Sequence, residues 1–177
     1  MPRKTLIVID VLNDFLDPRG ALYCGDSARA IIPTVKSLVD RFTREKETVV
    51  YLRDAHAPDD KEFELFPPHA VKGTWGGEII PELAPPEGCH VVDKTRFSGL
   101  FGNNLVALLA AAEPDEIWLT GVCTSICVMD TAGDLRNHDY QVVIPVDAVA
   151  DFDSEFHEFA LKRMQRIYGA RLVPPEG

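Results

Sequence analysis

Residues 115–128 read DEIWLTGVCTSICV, and the way this stretch is read decides the fold. The run EIWLTG (116–121) is near-continuously apolar rather than alternating, the pattern of a strand buried on both faces. Beyond Gly121, the residues Val128, Ala132 and Leu135 recur at helical spacing, so a glycine turn joins this strand to a helix. Cys123 and Cys127 stand four apart within that turn. Four readings are open for the pair: a disulfide, half of a metal site, two small core residues, or a nucleophile beside a bystander.

Similar runs flank this one: TLIVID (5–10), TVVYLRD (48–54), HVVDK (90–94), QVVIPVD (141–147) and, more weakly, ARLV (170–173). Helical patterns fill the intervals. Val35, Leu38, Val39 and Phe42 share a face, with Pro33 suited to the first turn of their helix. Asn103 or Asn104 stands ready to cap LVALLAAA, while Leu161, Met164 and Ile167 form a last stripe that Gly169 terminates. Strand and helix therefore alternate, which predicts an α/β fold: a parallel sheet covered by helices on both faces and joined by right-handed crossovers. The interval from Ala55 to Gly88 breaks the pattern, being rich in Pro and Gly and without periodicity. A connection of that length inside a compact domain is usually functional.

The chain of 177 residues is long enough to bury one core without staples, and no repeat, low-complexity tract or linker divides it, so a single domain over 1–177 is expected. Asp and Glu (28) outnumber Lys and Arg (18), and the formal charge of -10 repels phosphate backbones and anionic lipid. Neither nucleic acid nor membrane is an expected partner. No apolar stretch approaches the roughly 20 residues that span a bilayer, and MPRKTLIVIDVLNDF lacks a signal-type pattern, so a cytoplasmic location is expected. In that reducing setting Cys24, Cys89, Cys123 and Cys127 are expected as thiols, and no C-x-x-C pair suggests structural zinc.

Open α/β sheets bind ligands beyond the carboxyl ends of their strands. The first strand delivers Asp10 there, the second Asp54 and His56, the third Lys94, and the fourth opens into Gly121 to Cys127. Singly, each has a bland reading as a cap, a solvated strand end or a small core residue. Together they form a set with a chemistry. Cys127 opens a helix that Thr124 or Ser125 is placed to cap, and a helix N-terminus with Lys94 as a nearby cation favours a low thiol pKa. Asp10 is the candidate base, and backbone N–H groups of the turn are candidates for an oxyanion hole. This is equipment for acyl transfer from an amide through a thioester. Asp54 and His56 point the same way from an extended segment, and Glu62 or Glu64 and then His69 follow in EFELFPPH. That mixed oxygen and nitrogen set suits Zn, Mn or Fe.

The segments IVIDVLNDF (7–15), RDAH (53–56), FPPHAVKGTWG (66–76), DKTRFSGLFG (93–102) and GVCTSICVMDTA (121–132) resemble the isochorismatase-like cysteine hydrolases, and among them the nicotinamidases. The resemblance runs through almost the whole chain in the family's order. It implies a Rossmann-like three-layer αβα fold with a six-stranded parallel sheet, and a triad of Asp10, Lys94 and Cys127. It further implies a cis peptide between Val122 and Cys123, and an oxyanion hole from the N–H groups of Cys123 and Cys127. A divalent metal ion, zinc before manganese or iron, is implied on Asp54, His56, His69 and, in preference to Glu64, Glu62. Phe15 and Phe66 would wall the substrate ring. The implied reaction is hydrolysis of nicotinamide to nicotinate and ammonia within NAD salvage, in a homo-oligomer. Leu12, Phe66 and Ser125 depart from the family's usual Gln, Trp and Asp; the first two conserve packing, while Ser125 removes a charge near the nucleophile. The alternatives are another small-amide or ureide hydrolase or a metal-free isochorismatase relative, against which Asp54, His56 and His69 argue. A dinucleotide-binding oxidoreductase would require G-x-G-x-x-G after the first strand, where the chain has DVLNDF instead. A catalytically silent metal- or ligand-binding protein is the third possibility.

Overall fold

The computed structural model describes residues 2–174; Met1 and residues 175–177 of the expected 1–177 domain lie outside the described residues. In chain order the elements are β1 (Lys4–Ile9), α1 (Asn13–Leu16), α2 (Asp26–Ala30), α3 (Ile32–Arg44), β2 (Thr48–Asp54), β3 (His90–Lys94), α4 (Leu105–Ala112), β4 (Glu116–Val122), α5 (Met129–Asn137), β5 (Val142–Pro145), β6 (Val149–Ala150), α6 (Ser154–Arg166) and β7 (Arg171–Val173). The strands pair in parallel in the order β3-β2-β1-β4-β5-β7, with β6 paired to β4. The α/β expectation therefore holds, with one addition. The six strands read from the sequence are joined by a seventh, Val149–Ala150, which continues along β4 after β5 has ended.

Alternation along each strand sorts the core into two layers. Leu6 and Val8 of β1, with Val49, Tyr51 and Trp118, pack under α3 through Val35, Leu38, Val39 and Phe42. Ile7 and Ile9, with Val50, Leu52, Ile117 and Leu119, meet Leu105 and Leu109 of α4, Ala132 and Leu135 of α5, and Ala160 and Met164 of α6. The sheet is thus covered on both faces, which is why its strands are near-continuous apolar runs. Ile167 is an exception to the expected stripe: α6 stops at Arg166, and Ile167 is exposed.

The register carries the strand ends to one rim. Ile9 lies opposite both Leu52 and Gly121, and Asp54 lies opposite Lys94. Because strand order runs outward in both directions from the β1–β4 pair, a crevice opens above these two strands. Gly121 permits their close approach. Its φ is +105°, and a Cβ there would stand 1.9 Å from the Ile9 carbonyl oxygen.

The connection from β2 to β3 contains three short 3-10 turns, Lys61–Glu64, Trp75–Gly77 and Pro81–Leu83. It is pinned from the segment after β1. Asp14 Oδ2 accepts from Ala70 N at 2.8 Å and Oδ1 from Ala21 N at 2.9 Å, while Asn13 Nδ2 donates to the Trp75 carbonyl at 2.7 Å. Among the described residues no helix is long and apolar enough to cross a membrane.

Candidate active site

Asp10 follows the last residue of β1 with φ +52°, a left-handed conformation uncommon for a side-chain-bearing residue and therefore a mark of a constrained position. Its backbone N–H remains in register with the Leu52 carbonyl at 2.9 Å, and its Oδ1 accepts from Asp54 N at 2.8 Å. Lys94, at the end of β3, is 1% exposed, so its ammonium must find its partners inside the protein. Nζ lies 2.6 Å from Asp54 Oδ1, 2.9 Å from Asp10 Oδ2, 3.4 Å from Cys127 Sγ and 3.2 Å from the Arg96 carbonyl. One ammonium thus holds two carboxylates and the thiol around itself.

Cys127 sits in a π-helical turn, Thr124–Val128, that leads from β4 into α5. The peptide bond Val122–Cys123 is cis. Neither Thr124 nor Ser125 caps the turn, contrary to the sequence expectation. The Cys123 carbonyl instead accepts from both Ile126 N and Val128 N. The Thr124 side chain and the Ser125 backbone find partners elsewhere: Thr124 Oγ1 is 2.9 Å from His157 Nδ1, and the Ser125 backbone N–H donates to Asp151 Oδ2 at 2.7 Å. A carboxylate therefore stands beside this turn after all, supplied by Asp151 rather than by residue 125. All four cysteines are free, and Cys123 Sγ faces Cys24 Sγ at 3.4 Å.

The electrostatics correct a second expectation. Burial, with Asp10 and Asp54 adding to it, pushes the Cys127 thiol up, and Lys94 opposes them without prevailing. The expected low thiol pKa is absent. Burial first, and the charge of Asp54 second, raise Asp10 to about 6 against the pull of Lys94. Burial disfavours charge on Lys94, but Asp10, Cys127 and Asp54 outweigh it and keep the ammonium well above its ordinary value. Burial thus favours the protonated form of the thiol and increases the basicity of the carboxylate beside it.

The second donor set adjoins the first through Asp54. While Oδ1 binds Lys94, Oδ2 turns toward His56 Nε2 at 3.8 Å, and donor atoms of Asp54, His56 and His69 lie within 4.8 Å of one another. Glu62 Oε1 is 3.6 Å from His69 Nε2 and 3.9 Å from His56 Nε2, with its side chain buried, whereas Glu64 is exposed. His69 turns its Nδ1 to the Pro67 carbonyl at 2.8 Å and His56 its Nδ1 to Asp60 Oδ2 at 3.2 Å, so both Nε2 atoms face the centre. His56 Nε2 is buried without a hydrogen-bond partner. A buried orphan nitrogen among two carboxylates and a second imidazole fits a divalent cation. Phe15, Phe63 and Phe66 enclose the imidazoles, with ring centroids 5.7, 5.6 and 6.1 Å from that of His69.

Both sets open into one cavity of about 280 Å³, lined by Asp10, Phe15, Asp54, Glu62, Phe66, His69, Cys123 and Cys127. This is the scale of a small-molecule site, apolar with a few convergent polar groups. Phe97, Phe152, Ile126 and the 22–24 segment also line it, and the sequence reading had passed over them. An aromatic residue just past a legible strand end was the available signal for Phe97; Phe152 follows Val149–Ala150, a strand the sequence does not announce.

A parallel sheet covered by helices on both faces, with this cavity at its switch point, accords with the class the chain belongs to: the isochorismatase domain family, a family of hydrolases, matches residues 4–173. The uncharacterized isochorismatase family protein PncA of Bacillus subtilis is 36% identical, covering 97% of this chain and 99% of its own. The crystal structure of nicotinamidase/pyrazinamidase PncA from Bacillus subtilis superposes with a TM-score of 0.92 at 39% identity, covering 97% and 99% of the two chains. Pyrazinamidase of Pyrococcus horikoshii in complex with zinc gives 0.91 at 30% identity over 98% and 100%, and N-carbamoylsarcosine amidase from Thermoplasma acidophilum gives 0.89 at 32% over 99% and 99%.

Proposed function

We propose that the protein hydrolyses nicotinamide to nicotinate and ammonia, a step of NAD salvage, through a thioester on Cys127. The observation that carries this reading is the double use of Asp54, one oxygen on Lys94 and the other toward His56, which sets the thiol and the cation site at a fixed offset. An aromatic amide with a ring nitrogen offers a carbon for the thiol and a donor for the cation. Cys127 attacks the carboxamide carbon as its proton passes to Asp10, and Asp10 returns that proton to the leaving amine, so that ammonia departs. Asp10 then deprotonates the water that opens the thioester. Lys94 stays charged throughout and balances the negative charge moving between sulfur and carboxylate. The N–H groups of Cys123 and Cys127 receive the oxyanion. Asp54, His56, Glu62 and His69 would hold a divalent ion, zinc before manganese or iron, which supplies an electrophilic anchor for the pyridine nitrogen. Phe15 and Phe66 flank the ring, and the mainly apolar lining suits a flat, neutral substrate.

The test is ammonia release from nicotinamide before and after chelation, run beside pyrazinamide and small ureides. Release from nicotinamide that chelation abolishes and added metal restores is the expected result. The similarity to N-carbamoylsarcosine amidase, together with Ser125 in the catalytic turn, makes a ureide the second reading. Ammonia from a ureide, with none from nicotinamide, would replace the first reading by the second.

A further inference from the structure

Asp60 belongs to neither donor set, yet its carboxylate touches the cation set directly and is linked to the other through Arg96. Oδ2 lies 3.2 Å from His56 Nδ1, and Oδ1 accepts from Glu62 N at 2.9 Å as the N-cap of the turn Lys61–Glu64. Arg96 Nη1 donates to the two oxygens at 3.2 and 3.1 Å, and the carbonyl of the same Arg96 accepts from Lys94 Nζ. The Asp60 side chain is 8% exposed, so these contacts are largely shielded from competing water.

We infer that Asp60 is a positioning residue for cation binding, fixing the ring of His56 and the turn that carries Glu62, and itself held in place by Arg96. This rests on the proposed cation site. A liganding imidazole is aimed by whatever its other nitrogen binds, and outer partners of that kind shift metal affinity by about 10- to 100-fold. The two imidazoles differ in this respect. His69 is oriented by a backbone carbonyl that no side-chain change removes, whereas His56 depends on one carboxylate. With its proton on Nδ1, His56 donates to Asp60 and leaves Nε2 bare toward the centre, where it has no other partner.

The experiment measures zinc affinity and stoichiometry on the full chain by competition with a chromogenic chelator, with thermal melting of the metal-free protein in parallel. Asp60→Asn keeps an acceptor for Glu62 N, since Asn caps as well as Asp, but removes the charge that holds His56 and Arg96. The expected result is a zinc Kd about 10- to 100-fold weaker at an unchanged metal-free Tm, with turnover recovered at high zinc. Wild-type affinity in Asp60→Asn would overturn the inference and leave the cation site standing. Wild-type protein that binds no zinc, manganese or iron would remove the cation site itself. Should Asp60→Asn fail to fold, Arg96→Met decides the matter from a half-exposed position. Weakening of about two- to fivefold at unchanged Tm sustains the inference, and unchanged affinity overturns it.

Discussion

The two halves of the cavity are built by different means. Asp10 and Lys94 end or directly follow paired strands, and Cys127 stands in the short turn after a third, so parallel register places them and many backbone hydrogen bonds share the work. Glu62, Phe66 and His69 hang on a connection without strand or long helix, held by isolated backbone bridges at His56–Val71 and Leu12–Ile79 and by single side chains: Asp60 at Glu62, Asp14 at Ala70 and Asn13 at Trp75. Reactivity is thus built into the fold, while two of the four cation donors, Glu62 and His69, are built onto it. One consequence is that the second half can be damaged without the first.

The sharpest break falls on the sheet half. Cys127→Ala removes one sulfur from a small, buried position, so folding should persist while ammonia release drops by more than about 10⁴-fold, measured beside circular dichroism. Preserved turnover would show that the convergence of Lys94 and Asp10 on this thiol has no catalytic meaning. On the loop half, Glu62→Gln should weaken zinc binding at least as much as loss of an outer partner does, about 10- to 100-fold, with the fold intact. Glu64→Gln, at an exposed carboxylate, should match wild type, and a reversal between the two would reassign the fourth donor. Gly76→Ala attacks the clamp itself, because a Cβ there would stand 2.0 Å from Asp14 Oδ2 and 2.4 Å from its Cγ. Asp14 is buried and bonded at both oxygens, so it cannot swing away; a loss of about 1–3 kcal/mol is expected in chemical denaturation, together with weaker zinc binding.

The same contrast governs what the sequence reveals. Asp10, Asp54 and Lys94 were legible because an apolar run announces its own end, and the end is where α/β sheets do chemistry. The strand Val149–Ala150 was not, since two residues carry no period and QVVIPVD suggested one longer strand. Ile167 fits the helical stripe in sequence, but the helix stops one residue short of it. Thr124 and Ser125 look like caps because residue type signals capping, whereas the turn closed on its own carbonyl and Asp151 claimed the Ser125 N–H. Cys127 at a helix start beside a lysine suggests a depressed pKa; burial, which no spacing records, reverses it. Asp60 and Asp14 act on the backbone N–H groups of Glu62 and Ala70, contacts that residue type and spacing do not signal, so only the fold exposes them.

The smallest effect lies where the halves meet, at the segment that carries Lys94 and Arg96 into α4. Sequence left Asn103 and Asn104 as equal candidates for the cap of that helix. Asn104 occupies the capping position by backbone count but makes no side-chain cap bond. Asn103 Oδ1 accepts from Leu105 N at 3.0 Å, and its Nδ2 donates to the Gly99 carbonyl at 3.0 Å and the Asp93 carbonyl at 3.3 Å. It therefore closes the loop as well as the helix, tying the residue before Lys94 to the start of α4. Asn103→Ala should cost about 1 kcal/mol in urea denaturation, and Asn104→Ala less than about 0.5 kcal/mol. Because the loop bonds reach Asp93 rather than Lys94 itself, kcat should change little in either variant. A large fall in kcat for Asn103→Ala at modest loss of stability would mean that the lysine is placed by its loop as much as by its strand, and the division between the two halves would blur.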